Sequence, residues 1–133
     1  MGRAHYDLQA WKKAIILVQE IYNLTKSFPK EEIYGLVSQM RRAAVSVPSN
    51  IAEGAARSSI KEFIRFLTIS RGSLSELETQ LIISARLGYM ERSNNIFLSL
   101  DQVSRLITGL QKRLSSMQIA SADMQNQLIT HNS

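Results

Sequence analysis

Arg57, Lys61 and Arg65 recur every four positions, and Arg41 and Arg42 stand a short distance before them. On a continuous helix, residues four apart share a face, so the first three would form a basic stripe. Clustered cations bind phosphate, and arginine does so best because its planar fork can reach two oxygens at once. Glu62 beside Lys61, and Glu53 four residues before Arg57, also offer ordinary surface pairs that explain part of the pattern. The arginines are expected to lack an interleaved aromatic platform for stacked bases, so contact with a nucleic acid would be mainly electrostatic. Other chemistry finds little support. Glu76 and Glu78 are two apart and point to different helical faces, which suits neither a shared proton nor a shared metal. Glu76 is instead expected to pair with Arg42 or another basic group across the fold. The two histidines, His5 and His131, lie at opposite ends of the chain, and there is no cysteine. A disulfide scaffold, a thiol nucleophile and a Cys-ligated metal are excluded, and the reading is of a non-enzyme with no metal and no cofactor.

The elements that must position these residues are helical. The chain has 133 residues, 44% of them hydrophobic, with 6 Gly and 2 Pro, which suits one α-helical domain with a core of its own. A first segment begins at Asp7, an N-cap, with Tyr6 and Trp11 forming a hydrophobic staple. Its inward seam is read as Leu8, Trp11, Ile15, Val18, Tyr22 and Thr25, and Pro29 closes it. A second segment starts near Lys30 and runs inward through Ile33, Val37, Met40, Ala44, Val47 and Ile51 to Gly54. Pro48 lies inside it. A proline there removes a helical hydrogen bond at a cost of about 3 kcal/mol, so a bend is expected near Pro48, with Ser46 and Ser49 placed to satisfy the freed groups.

Ser59-Ile60-Lys61-Glu62 has the form of a capping box and opens a third segment, with seam Ile60, Phe63, Leu67, Ser70, Leu74, Leu77, Leu81 and Ser84. Gly88 stops it. A fourth, from about Ser93, faces inward with Ile96, Leu100, Val103, Ile107, Leu110, Leu114 and Met117. Gly35, Gly72 and Gly109 fall within helical patterns and are expected where helices approach closely. The fold class is therefore all-α, an antiparallel up-down-up-down four-helix bundle over residues 1–117, followed by a polar, disordered tail over residues 118–133.

Two stretches are more specific than a bundle requires. One is Arg41-Arg42-Ala43-Ala44-Val45-Ser46-Val47-Pro48-Ser49-Asn50-Ile51-Ala52-Glu53-Gly54; the other is Glu62-Phe63-Ile64-Arg65-Phe66-Leu67, continuing through Gly72-Ser73-Leu74-Ser75-Glu76-Leu77-Glu78-Thr79-Gln80-Leu81. With Asp7-Leu8 and Trp11, the chain resembles, from Tyr6 to Met117, the bacterial four-helix-bundle proteins encoded in intervening sequences of 23S ribosomal RNA genes. The resemblance implies a ring-like homopentamer and an association with ribosomal RNA.

Self-assembly also has support in the residues. The first segment carries a second apolar stripe, Ala10, Ala14, Leu17, Ile21, Leu24 and Phe28, and the third adds Phe66, Ile69, Ile83 and Leu87. Such broad apolar arcs exceed what one bundle core needs, so Leu17, Ile21, Leu24, Phe66, Ile69 and Ile83 are expected at an interface between copies. The net charge of +5 permits attraction to nucleic acid. Arg41, Arg42, Arg57, Lys61 and Arg65 are the expected contacts with ribosomal RNA. No apolar run is long enough to span a bilayer and no signal peptide is evident, so the expected location is cytoplasmic, without a membrane partner or small-molecule substrate. The competing reading is a protein-interaction scaffold that touches no nucleic acid.

Overall fold

The computed structural model describes residues 5–6 and 8–132, with side-chain environments up to residue 130. Four helices follow in order: α1 (Gln9–Thr25), α2 (Leu36–Ala55), α3 (Ile60–Arg86) and α4 (Ile96–Asn132), with a single 3₁₀ turn at Lys30–Glu32. No strand occurs among the described residues. Each helix packs on two others, α1 on α2 and α4, α3 on α2 and α4, so the four close a ring around one apolar core.

The seams read from α2, α3 and α4 are largely the buried ones, but Ile33, expected to face inward, lies before α2 and is exposed. Val37, Met40, Ala44, Val47 and Ile51 meet Leu67, Leu74, Leu77 and Leu81, and Ile96, Leu100, Val103, Ile107, Leu110 and Leu114 complete the centre. In α1 the two stripes are exchanged. Ala10, Ala14, Leu17, Ile21 and Thr25 face the core, whereas Ile15 and Tyr22 are exposed. Leu17 and Ile21 are 0% accessible inside their own subunit, so they cannot form an interface between copies. Small alanines on that stripe let α1 come close to its neighbours, while Trp11 and Tyr22, with polar tips, sit at the margin.

Caps define both ends of α3 and the start of α4. The Asp7 cap expected for α1 lies outside the described residues; Tyr6 does stack on Trp11, with ring centroids 5.4 Å apart. α2 begins at Leu36 rather than near Lys30, because Gly35 at φ −110°, ψ −111° leaves the helical region. Ser59 accepts a hydrogen bond from the Glu62 N–H at 3.1 Å, as a capping serine should. At the end of α3, Gly88 takes φ +81°, the Tyr89 N–H reaches the Ser84 carbonyl at 2.9 Å and the Gly88 N–H reaches that of Ala85 at 3.1 Å. This is a Schellman stop, which requires a residue at ease with positive φ. Asn94 accepts from the Ile96 N–H at 2.9 Å where α4 starts.

Pro48 lies inside α2. It leaves the Ala44 carbonyl without its helical donor, and neither Ser46 nor Ser49, expected to satisfy the freed group, donates to that carbonyl among the described hydrogen bonds. The next two carbonyls gain side-chain donors: Ser49 Oγ to Val45 and Asn50 Nδ2 to Ser46, both 2.8 Å. The Ser46 hydroxyl serves a different purpose, pairing with Ser73 Oγ of α3 at 2.8 Å. Ser70 Oγ donates to the Val47 carbonyl at 2.9 Å, and Ser84 Oγ lies 3.5 Å from Met40 Sδ.

Beyond Leu114 the segment expected to be disordered continues as helix to Asn132, yet residues 116–130 are all exposed. The bundle therefore ends at Leu114, and Met117 is outside its core.

Close approach belongs to Gly54. A Cβ there would lie 2.8 Å from Phe66 Cβ, 2.9 Å from Phe63 Cδ1 and 3.2 Å from the Phe63 carbonyl oxygen. Gly72, by contrast, has nothing within 4 Å, and Gly35 and Gly109 meet only side chains and backbone of their own local turns. The expectation of tight packing at those three is corrected accordingly. Gly54→Ala is expected to force α2 and α3 apart and to destabilise the fold by about 1–3 kcal/mol, read as a lower urea midpoint at unchanged m. Gly72→Ala should be neutral or slightly stabilising.

Candidate nucleic-acid interface

The Gly54 contact brings the end of α2 against the start of α3, and the cations collect at that corner. Arg57 lies in the turn after α2, not on a helix continuous with Lys61 and Arg65, so the three do not form one helical stripe. Arg57 and Arg65 converge on Phe66 instead. The Arg57 guanidinium sits 4.9 Å and that of Arg65 4.6 Å from the centre of the Phe66 ring. Phe66, expected at an interface between copies, instead lies beneath these two cations. It is buried, only 8% accessible, so it is a floor for two cations and not a platform for bases.

Each arginine also has an acidic neighbour. Arg57 Nη2 is 2.7 Å from Glu53 Oε1, and Arg65 Nη2 is 3.1 Å from Glu62 Oε2. All four side chains are substantially exposed, so these pairs contribute little to stability and leave donors facing water. Lys61 is exposed and enters no ion pair among those described. The Glu62 pKa is lowered, chiefly by the hydrogen bond from Arg65, which outweighs the opposing effect of desolvation, with further help from the charges of Arg65, Arg57 and Lys61. One carboxylate thus experiences all three cations, which places them in one electrostatic neighbourhood.

Arg41 and Arg42 are elsewhere. They precede the end of α2 by roughly 20 Å of helix at 1.5 Å per residue. The half-buried Arg41 holds α1: its Nε donates to Thr25 Oγ1 at 3.0 Å, and its guanidinium covers the Tyr22 ring at 4.5 Å. Arg42 is exposed and shares a shallow cleft with Ala43, Ser46, Ser73 and Glu76. It forms no ion pair with Glu76, which accepts instead from Gln80 Nε2 at 3.3 Å. The five basic residues therefore divide into a corner cluster, a structural clamp and an isolated cation.

Among the apolar candidates, Ile69 and Ile83 are exposed on α3, Phe66 is buried, and Leu24 is half-buried against the core. No group of three or more His, Cys, Asp or Glu able to hold a metal occurs among the described residues. No described helix is long and apolar enough to cross a membrane.

Comparison with known proteins places this geometry in context. The family model of the 23S rRNA-intervening sequence protein matches residues 6–109. No curated protein matches the chain. A crystal structure of a protein of unknown function from the S23 ribosomal protein family of Bacteroides thetaiotaomicron aligns with a TM-score of 0.59 and 24% identity, covering 81% of this chain and 96% of the other. That likeness extends to the fold.

The corner cluster makes a direct prediction for titration. Glu62 should protonate below the pH at which an ordinary glutamate does, and Arg65→Ala should return it toward the ordinary value by removing the largest cause. Because the folded pKa is the lower one, any stabilisation from this pair is present above the unfolded pKa and is lost as pH falls through the folded pKa. A carboxyl-carbon NMR titration of parent and variant checks this; identical Glu62 curves would contradict it.

Proposed function

The chain belongs to the 23S rRNA-intervening sequence protein family, and from that premise we propose that it is a non-enzymatic, cytoplasmic, self-assembling bundle that contacts ribosomal RNA. The observation that carries this reading is the gathering of Arg57, Lys61 and Arg65 around Phe66 and Glu62 at the α2–α3 corner. Exposed cations held on a rigid floor suit the irregular phosphate spacing of folded RNA, and they need no base-specific contact. Arg42 extends the basic surface along α2, and Arg41 supports it from within.

The subunit is an antiparallel up-down-up-down bundle with α2 bent at Pro48. The residue pairings Met40 with Ser84, Val47 with Ser70 and Gly54 with Phe63 support opposite running directions for α2 and α3. The assembly is a homopentameric ring. Two unlike apolar surfaces support it: Ile69 and Ile83 on α3, and the outer side of α1 and α2 around Tyr22 and Val45. α1 and α3 do not touch, so these surfaces lie on different flanks, and each can meet an unlike surface of a neighbouring copy, as the heterologous contacts that close a ring require. A ring repeats each basic corner, and simultaneous contacts strengthen binding that would be feeble singly.

Charge reversal at the corner (Arg57→Glu, Lys61→Glu and Arg65→Glu together) is expected to abolish most retention of ribosomal RNA at low salt, with helicity and oligomer mass unchanged. The log-affinity against log-salt slope should shrink by about 2 for three lost contacts to single-stranded RNA. Equal retention by parent and triple variant would exclude this corner. Absence of retention by the parent at low salt would overturn RNA contact and favour a protein scaffold.

A further inference from the structure

The subunit displays a groove without a helix and a helix without a groove. The groove lies between the outer sides of α1 and α2. One stretch of about 490 Å³ is bordered by Tyr22, Ile33, Tyr34, Val37, Arg41, Arg42 and Val45, and a second of about 300 Å³ by Trp11, Ile15, Val18, Val45, Pro48 and Ala52. Val45 borders both, so the two stretches adjoin along the helix pair, in a lining that is mostly apolar but includes His5, Ser38 and Ser49. Tyr34 at its upper end is 97% accessible, an extreme value for a tyrosine in a folded domain.

The unpartnered helix is α4 beyond Leu114. Its inward seam does not stop where the bundle stops. Leu110, Leu114, Met117, Ser121, Met124 and Leu128 keep the alternating four and three spacing, and Met117, Met124 and Leu128 are exposed. No glycine or proline follows Gly109. A short helix with nothing packed on it is marginal in water, and helical stability comes mainly from burying an amphipathic face. This stretch is about 27 Å long at 1.5 Å per residue, enough to cover the roughly 17 Å of α1 between Trp11 and Tyr22 and to reach past it toward Tyr34.

We infer that the α4 extension of one copy docks into the α1–α2 groove of a second copy. The chain's own groove is out of reach, because α4 is unbroken through Leu114 and carries the extension away from its own bundle. Charge favours the same occupant. The groove is bordered by Arg41 and Arg42, whereas the sequence after Arg113 contains no lysine or arginine and one acidic residue, Asp123. An apolar seam of Met and Leu adapts to a groove of mixed aromatic and aliphatic walls, since methionine is flexible and packs well on rings. The extension lies beyond residue 109, where the family match ends. The docking rests on the self-assembly reading above and gives that reading a specific joint.

The absence of native cysteine makes the joint testable in the full chain. Chains carrying Met124→Cys and size-tagged chains carrying Val45→Cys are mixed and oxidised. A disulfide between the two species is expected, and none when Leu98→Cys, exposed at the start of α4, replaces Val45→Cys. In parallel, Met124→Glu with Leu128→Glu, both at exposed positions, should weaken self-association at least about tenfold by light scattering across a dilution series. A parent chain that is monomeric throughout would sink the self-assembly reading itself. An oligomeric parent unaffected by the two glutamates and without mixed disulfide would overturn the docking alone. Disulfides formed only between two Met124→Cys chains would also overturn it, in favour of paired extensions.

Discussion

The contact between α2 and α3 is the constraint on which the other features depend. It is made by small residues on both sides. Gly54 admits Phe63 and Phe66, Ser70 reaches the Val47 carbonyl, and Ser46 meets Ser73. Large side chains at these positions would separate the helices, and dense interiors do not absorb added volume cheaply. The same close approach fixes the position of Phe66, and through Phe66 the arginines that lie over it.

The proposed RNA contact rests on that geometry more than on the number of charges. The chain holds 16 Lys and Arg, and most are dispersed over the surface, where each interacts with water and salt. Arg57 and Arg65 become a unit because a turn returns the chain on itself above a buried ring. Arg41 shows the opposite outcome: its guanidinium is committed to Thr25 and Tyr22, where it ties α1 to α2. Two adjacent arginines in the sequence thus serve different ends, since helical geometry turns Arg42 outward and Arg41 toward a neighbour.

Three of the four seams were legible in the sequence, along with the Ser59 cap and the Gly88 stop, because each of those helices has one continuous apolar face and clear boundary chemistry. α1 was not, since it carries two adjacent apolar stripes of equal period and periodicity cannot choose between them. The choice was made by volume: Ala10 and Ala14 permit close packing that Trp11 and Tyr22 would prevent. The α4 extension was obscured by its Ser, Gln and Asn content, although Met117, Met124 and Leu128 preserve the seam. Within the basic cluster the four-residue spacing was visible, but not the turn at Arg57, nor the buried ring that reunites the charges across it. Those depend on how two helices meet, which no local pattern encodes.

The central claim, that the α2–α3 corner is the surface presented to ribosomal RNA, is tested most directly by ultraviolet crosslinking of the native protein to its RNA, followed by mapping of the crosslinked peptides. The account predicts that crosslinks concentrate in peptides containing Arg57, Lys61 and Arg65, with weaker labelling around Arg42. Crosslinks confined to peptides of α1 or α4, with the corner unlabelled, would contradict it.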